Sequence, residues 1–447
     1  MMKLAIIGTG YVGLVSGVCL ASKGHQVSCF DINKTNINKL DQGICPIYEN
    51  GLDNLLASSK DNLDFHVLDD ESEKELMNFD AILVAVGTPT IDGKSDLSQI
   101  ASVGRMMGRL IKSSQKYISI IIKSTVLPGT TDTFFKDIVE SESEKSVGDF
   151  GLGMNPEFLR EGNAIEDFQN PDRIVFGFED KKTLDNLRRI YKPWDCEKIE
   201  VNTRSAEMMK YVNNALLATL ISTINEYSNI ARAVQNIDFE KVMLGVHLDN
   251  RWSPLDQEGY KVKPKIIDYL KPGCGYGGSC FPKDVMAISS LAKDIGVSSS
   301  ILSAVIDVNE KQPEAILQIL KKATGDLKTK QVLVLGLAFK PDTDDVRESV
   351  SLKLLKILSG EVNSLIAHDP IAIDNAIIEI DQRFDVDFSQ NWKNEIKDSD
   401  VIIICTNWNE YSELADMTDH LKGKIIFDTR SLLSELNATD FQYITVN

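Results

Sequence analysis

LAIIGTGYVGLVSG, residues 4–17, starts as an apolar run of strand length and passes directly into Gly8-Thr9-Gly10-Tyr11-Val12-Gly13 and an apolar helical pattern. G-x-G-x-x-G at a strand-to-helix junction has a physical basis. The first glycine permits a tight turn, the second lets backbone approach a pyrophosphate, and the third lets helix and strand pack closely. The N–H groups at the helix start then face the phosphates. A second strand, Val27–Phe30, is followed by Asp31, 18 residues after Gly13. A carboxylate there accepts hydrogen bonds from both ribose hydroxyls and repels a 2′-phosphate. The expected cofactor is NAD, held by Gly8, Gly10, Val12, Gly13 and Asp31. Lys34 nearby weakens the argument against a 2′-phosphate, and the glycine motif by itself also accommodates FAD.

Outward from this motif, the first third alternates short apolar runs with helical patterns. Leu4–Ile7, Val27–Phe30, Ala81–Val86 and Ile118–Ile122 read as strands of a parallel sheet, with Arg173–Phe176 as a further candidate. The middle differs. Residues 203 to 234 form a helical pattern without glycine or proline, with Ser205 as the expected N-cap and Glu207 near the positive end of the helix dipole. Such a length, several times that of an ordinary helix, suits a domain connector or a subunit interface. The last third returns to alternation at Gln331–Leu337, Ser364–Ala367, Val401–Cys405 and Lys424–Phe427. The acidic, serine-rich stretch 141–149 reads as a solvated loop. The expected fold is α/β: two Rossmann-like parallel-sheet domains, joined by a long central helix and a helical dimerisation region. The expected boundaries are 1–202, 203–325 and 326–447.

The 447 residues exceed one ordinary domain and suffice for a large core without disulfide or metal staples. The formal charge of −18 argues against nucleic acid and acidic membranes as partners, since both call for a basic surface. A phosphorylated small molecule needs only a local positive pocket. No segment has the length of a signal core or a membrane span. Seven scattered cysteines read as reduced thiols in a cytoplasm. Five histidines without ligand spacing give no reason to expect a metal site.

Two further features carry chemistry. Lys210 and Asn214 lie four apart on the long helix and share a face, where an ammonium and an amide can stabilise a developing alkoxide. The bland alternative is a solvated lysine on an interface helix. The segment PGCGYGGSCFPKD, residues 272–284, has four glycines in six residues, so backbone can approach a ligand closely. Pro282 suits a first helical position, with the helix running toward Gly296. Cys280 therefore sits at or just before a helix N-terminus with Lys283 nearby, and both features favour a thiolate. Cys19, Cys29 and Cys405, in apolar runs, read instead as small core residues. An alcohol dehydrogenase needs no nucleophile. An enzyme that oxidises past the aldehyde does, because a thiol adduct can surrender a second hydride and leave a hydrolysable thioester.

GYGGSCFPKD resembles the active-site signature of the UDP-glucose and GDP-mannose 6-dehydrogenases. IIGTGYVGLV, VGTPT (86–90), KSTVLPGT (123–130), NPEFLREG (155–162), EMMKYVNNALLATLISTINE (207–226) and GLAFKPDTDDVRES (336–349) resemble that family's motifs in the family's order, over essentially the whole chain. The resemblance implies that Cys280 is the nucleophile, Lys210 the oxyanion stabiliser, and Asn214 a support for water and sugar. It implies that Asp284 and Thr125 hold the catalytic water and that Glu157 is the base for thioester hydrolysis. Thr88, Thr125, Glu161, Lys283 and Arg347 match positions near NAD. Glu157, Phe158, Leu159, Arg160 and Glu161, then Lys210, Asn214, Tyr269, Gly273, Gly277 and Lys340, match positions at the substrate. It implies a site in a cleft between the terminal domains and a homodimer built on the helical centre.

Two departures stand out. NRWSPLDQEGYKVKPK (250–265) is longer than the family pattern, which leaves open whether Arg251 reaches a partner's substrate. Asn36 stands where a basic residue near the adenosine ribose is expected. FKPDTDD and IIFDTR favour UDP-glucose as substrate, with GDP-mannose as the alternative. An N-acetyl-hexosamine nucleotide fits less well, because Ser279 replaces the histidine such enzymes carry before the cysteine. A two-electron 3-hydroxyacid dehydrogenase, which also carries Lys-x-x-x-Asn, would have no use for Cys280. A non-catalytic nucleotide-sugar sensor would have no use for the reactive set.

Overall fold

The computed structural model describes residues 1–91, 93–433 and 440–446. By internal packing the chain divides into two compact units, Met1–Asn213 and Asn214–Asn447.

The first unit is organised on a sheet whose strands are β1 (Lys3–Ile7), β2 (Gln26–Asp31), β3 (Leu63–Val67), β4 (Ala81–Val84), β7 (Ser119–Ile122), β8 (Gly151–Met154), β9 (Arg173–Phe178) and β10 (Glu197–Val201). A short antiparallel pair, β5 (Thr90–Ile91) and β6 (Lys94–Ser95), lies outside it. The order is β10-β9-β8-β7-β4-β1-β2-β3. Strands β3-β2-β1-β4-β7-β8 thus follow the doubly wound 3-2-1-4-5-6 order, whose crevice opens between β1 and β4. β4, β7 and β8 are buried along their whole length, as a sheet covered on both faces requires. Leu4 and Ile6 pack with Leu14 and Val18 on one face; Ala5 and Ile7 pack with Met107 and Leu110 on the other. The candidate strand at Arg173 joins this sheet, but it pairs antiparallel with β8, at Met154↔Gly177.

The helix Thr203–Val234 has 32 residues and is about 48 Å long at 1.5 Å per residue. It passes from the first unit into the second. Its cap differs from expectation: Ser205 lies inside the helix, and its N–H donates to the Asn202 side chain at 2.8 Å. Asn202 is the cap because its amide oxygen reaches a first-turn N–H that has no intrahelical acceptor. The stretch 141–149 is also not wholly a loop. The helix Lys136–Ser143 runs into it, and Ser143 is buried.

The second unit holds helices Phe239–His247, Phe281–Asp294 and Ser300–Thr324 and a second sheet. Its strands are β11 (Gln331–Leu335), β12 (Ser364–His368), β13 (Asp387–Phe388), β14 (Val401–Ile404), β15 (Ile425–Asp428) and β16 (Gln442–Thr445). The order is β13-β12-β11-β14-β15-β16 with every pairing parallel, again 3-2-1-4-5-6. The turns after the first strands also correspond. Gly8 (φ +98°) donates to Phe30 O at 2.8 Å, and Gly336 (φ +93°) donates to His368 O at 2.8 Å. Among the described residues no helix is long and apolar enough to cross a membrane.

Candidate functional site

In the first unit the site residues gather where parallel strands end. A Cβ on Gly13 would lie 1.9 Å from Gly8 O, so only glycine lets this helix sit so close to its strand. A Cβ on Gly10 would meet no protein atom within 4 Å, which suits backbone meant to approach a ligand. The first helical bond is Leu14 N to Gly10 O at 2.9 Å. The N–H groups of Tyr11, Val12 and Gly13 therefore have no intrahelical acceptor, as an anion-binding helix start requires. Asp31, at the end of β2, accepts from Thr9 N (2.6 Å), Thr9 Oγ1 (2.9 Å) and Asn33 N (2.8 Å). These bonds orient the half-buried carboxylate, and its remaining lone pairs suit a ribose. The residues present fit NAD. Thr88, past β4, is buried and its hydroxyl donates to Thr125 O at 2.8 Å, tying together two positions expected near the cofactor.

Glu157 and Lys210 form a buried pair. Lys210 Nζ lies 2.9 Å from Glu157 Oε1, with side-chain exposures of 3% and 6%. The solvated-lysine alternative is thereby excluded. Glu157 Oε2 accepts from Leu159 N at 2.7 Å. Burial pushes this carboxyl up, but the Lys210 ammonium, the Leu159 N–H and Lys123 outweigh it and hold it below the usual range. Lys210 and Arg173 also lie over the Phe158 ring, at 5.6 and 4.0 Å from its centroid. Arg160 forks onto Asp167 at 3.0 and 2.6 Å and points that way. Glu161 is half-buried on the same loop.

In the second unit, Cys280 occupies the N-cap position of helix Phe281–Asp294, and Pro282 stands in its first turn. The helix ends at Asp294, just before Gly296 (φ +74°). Cys280 is half-buried, with Sγ 3.5 Å from Ser279 Oγ. Asp284, one turn on, is almost wholly buried; Oδ2 accepts from Asn214 Nδ2 at 2.7 Å and Oδ1 lies 2.8 Å from Lys283 Nζ. The Lys283 ammonium, expected near the thiolate, thus lies at ion-pair distance from Asp284, and Cys280 stands at the helix N-terminus. The glycine loop leans on its own unit. Gly278 N donates to Arg347 O at 2.9 Å, and a Cβ on Gly277 would lie 2.4 Å from Glu348 O. Packing alone therefore demands glycine at 277, independently of any substrate. Arg347 forks onto Asp345 at 2.8 and 2.7 Å and is exposed. Lys340 Nζ lies 5.7 Å from the Phe339 ring centroid. Tyr269 is half-buried at the end of a short helical turn, and Gly273 is buried.

Several supporting residues were missed by sequence reasoning. Buried Glu49 accepts from Gly162 N (2.6 Å), Ala164 N (2.7 Å) and Tyr11 OH, anchoring the loop that carries Glu161. Asn309 brackets the glycine loop: Oδ1 accepts from Tyr276 N at 2.8 Å and Nδ2 donates to Tyr276 O at 3.0 Å. Gln312 Nε2 donates to Gly273 O at 2.7 Å, and Gly273 N donates to Asn225 Oδ1 at 2.8 Å. The available signal was amides at i, i+3 and i, i+4 spacing (309/312, 225/229) inside otherwise apolar helices.

Comparison with known proteins extends this picture. Residues 2–195 match the UDP-glucose/GDP-mannose dehydrogenase family, NAD binding domain; residues 204–311 match its central domain; residues 333–435 match its UDP binding domain. The chain is 37% identical over 452 residues to the UDP-glucose 6-dehydrogenase YwqF of Bacillus subtilis, spanning 100% of this chain and 97% of that one. It is 34% identical to the UDP-glucose 6-dehydrogenase AglM of Haloferax volcanii, over 99% of each. The structure of a UDP-glucose dehydrogenase from the hyperthermophilic archaeon Pyrobaculum islandicum is similar with a TM-score of 0.88 and 34% identity, covering 100% of this chain and 98% of that one.

Proposed function

The chain belongs to the UDP-glucose/GDP-mannose dehydrogenase family, and from that premise we propose that it oxidises C6 of UDP-glucose to a carboxylate in two NAD-dependent steps through Cys280. That it is an NAD-binding dehydrogenase follows from the family; the sugar and the covalent route are the proposal. The observation that carries it is Cys280 at a helix N-cap in a loop of minimal bulk, with Asp284 buried one turn on. The choice of UDP-glucose rests on the relatives' activity and on the FKPDTDD and IIFDTR segments.

The glycine turn at Gly8–Gly13 and Asp31 would hold NAD, which would supply the hydride acceptor for both oxidations at C6. Lys210 stabilises the C6 oxygen as the water held by Asp284 and Thr125 takes its proton, which requires the buried ammonium to stay charged. The Cys280 thiolate adds to the resulting aldehyde, forming a C–S bond and a thiohemiacetal alkoxide that Lys210 and Asn214 stabilise. Loss of the second hydride leaves a thioester. Glu157 then takes a proton from water, held with the help of Asp284 and Thr125. The water attacks the carbonyl, and the C–S bond breaks to regenerate the thiolate and release the carboxylic acid, which gives its remaining proton to solvent. Thr88, Glu161, Lys283 and Arg347 are proposed NAD neighbours. Phe158, Leu159, Arg160, Tyr269, Gly273, Gly277 and Lys340 are proposed substrate neighbours. A reduced Cys280 suits a cytoplasmic setting.

A second copy of the chain is the proposed partner. Met208, Val212 and Leu216 are exposed at four-residue spacing along the long helix, and eleven residues on, three turns further, Tyr227, Ile230 and Val234 are exposed at three- and four-residue spacing. A recurrent apolar stripe of this kind suits a homodimer.

The decisive test mixes excess NAD with limiting UDP-glucose and follows NADH to completion. Two NADH per sugar, abolished in Cys280→Ala, are expected. Two per GDP-mannose and none with UDP-glucose would keep the route and replace the sugar. One NADH per sugar in the wild-type protein would overturn the four-electron reaction.

A further inference from the structure

Lys123 is a buried ammonium that the reaction above does not use. It follows the last residue of β7, and Asn155 follows the last residue of the neighbouring β8, where Ile122 pairs with Met154. Lys123 is 3% exposed and donates from Nζ to Asn155 Oδ1 at 2.9 Å. Asn155 is locked on every side. Its N–H donates to Ile122 O at 2.8 Å, its Nδ2 donates to Val175 O at 2.9 Å, and Oδ1 also accepts from Tyr191 OH. Glu157 lies two residues further along, across a single proline.

A neutral amide is a poor reason to bury an ammonium. A charge taken out of water needs an opposing charge or it sheds its proton. Among the described residues no carboxylate lies within ion-pair distance of Lys123. The groups facing it are Glu157 on the β8 loop, Lys210 on the long helix, Cys19 on the first helix and the Phe168 ring at 5.6 Å. Burial lowers Lys123 to about 8, while attraction to Glu157 pulls it back up and Lys210 adds to the depression. Glu157 in turn faces Lys210, Lys123 and the Leu159 N–H. Two lysines therefore act on one buried carboxylate: Lys210 engages it directly, and Lys123 attracts it from beyond ion-pair distance while bound to Asn155, two residues before it.

We infer that Lys123 is a positioning residue for the hydrolytic half of the reaction, tying the Glu157 loop to β7 through Asn155 and supplying the second cation that faces Glu157. This rests on the reading of Glu157 as the hydrolytic base. If the hydrogen bond to Asn155 were its whole purpose, a neutral donor would serve without the cost of a buried charge.

The test separates the bond from the charge. Lys123→Gln keeps a donor and removes the charge; Lys123→Met removes both; Lys123→Arg keeps the charge. The full-length protein is mixed with NAD and UDP-glucose and quenched in acid. Intact mass then reports the sugar thioester on Cys280, and the turnover rate is followed from pH 5 to 9. In Lys123→Gln the acid limb is expected to move up by roughly one pH unit, the low end of what a neighbouring opposite charge does to a carboxylate. The thioester should accumulate below that limb, with KM for UDP-glucose within about twofold of wild type. Lys123→Arg should restore the limb. An unmoved limb in a folded Lys123→Gln protein would overturn the inference. Loss of the fold in Lys123→Met alone leaves Lys123→Gln to decide it. Glu157→Gln is the control for the underlying reading: failure to accumulate thioester there would remove Glu157 as base, and this inference with it. Thioester accumulation in Glu157→Gln beside an unmoved limb in Lys123→Gln would refute the inference alone.

Discussion

Asn214 Nδ2 lies 2.7 Å from Asp284 Oδ2, so one buried hydrogen bond joins the long helix to the helix that begins at Cys280. Both side chains are almost wholly excluded from solvent. Removing the donor leaves a buried carboxylate short of a partner, a loss of about 1–3 kcal/mol. Asn214→Ala is therefore expected to lower unfolding stability in urea by that amount. It should also cut kcat by roughly tenfold or more, since a misplaced catalytic group costs rate steeply. A variant with wild-type kcat would show that Asp284 does not depend on this bond.

Glu157 and Lys210 lead to a sharper contrast. Truncating one member of a buried pair strands the other charge and costs about 3–5 kcal/mol. Lys210→Met is expected to destabilise by that amount, and Lys210→Met with Glu157→Gln to recover most of it. Both should be inactive. Because the carboxyl of Glu157 is held below its usual range in the fold, the pair's stabilisation is present above the unfolded value of 4.5 and lost as pH falls through the folded value. Urea midpoints for the single and double variants settle this, and equal stability of the two would refute the coupling.

Glu207 behaves in the opposite sense. It accepts from Gly129 N at 2.7 Å and Thr131 N at 2.8 Å, yet burial outweighs these bonds and pushes its carboxyl up to about 7. A raised carboxyl favours the fold fully below the unfolded value of 4.5, and this contribution fades as pH rises through 7. Linkage then predicts a loss of about 1 kcal/mol between pH 6 and pH 8 from this residue. Glu207→Gln should remove that slope. The same slope in both proteins would count against the shift.

Which features were legible in the sequence follows from how local their causes are. The glycine turn, Asp31 and the apolar strand runs were readable because a covered parallel sheet demands unbroken apolar runs and a tight turn demands glycine. Cys280 was readable because its loop and helix start lie within a few residues of it. The antiparallel pairing of β9 was not, since pairing direction depends on the route of the chain between strands rather than on strand composition. Asn202 took the capping place of Ser205 because helix ends shift by a residue or two without changing the apolar pattern. The burial of Lys210 was hidden because its partner is 53 positions away. Glu49 was hidden further, with acceptor bonds to Gly162 and Ala164 spanning 113 and 115 positions. Residue type marks a candidate; only the fold supplies its partner.

The glycine turn yields a prediction about both fold and cofactor. Gly13→Ala would place a Cβ about 1.9 Å from Gly8 O, so the helix must move away from its strand. That movement displaces the N–H groups expected to face the pyrophosphate. NAD affinity should fall by roughly a hundredfold, near 3 kcal/mol, whereas Gly10→Ala, which meets no protein atom, should leave the fold stable and weaken only NAD. Calorimetric titration with NAD and thermal melts of the two proteins separate these effects. Undiminished NAD binding in Gly10→Ala would remove the pyrophosphate from that turn.

Leu216 tests the proposed assembly. It is 60% exposed on the long helix, in line with Met208 and Val212 at four-residue spacing. An exposed apolar row on a helix whose other face is buried has a cost in water that a second copy would relieve, at about 25 cal/mol for each Å² covered. Light scattering of the wild-type protein at micromolar concentration is expected to give twice the mass of one chain. Leu216→Glu places two carboxylates into such an interface in a symmetric pair, where each must be desolvated beside apolar neighbours. It should yield the single-chain mass with an unchanged circular dichroism spectrum. A wild-type protein that scatters as one chain would leave the row uncovered and refute the dimer. A variant that stays dimeric would move the interface to another face.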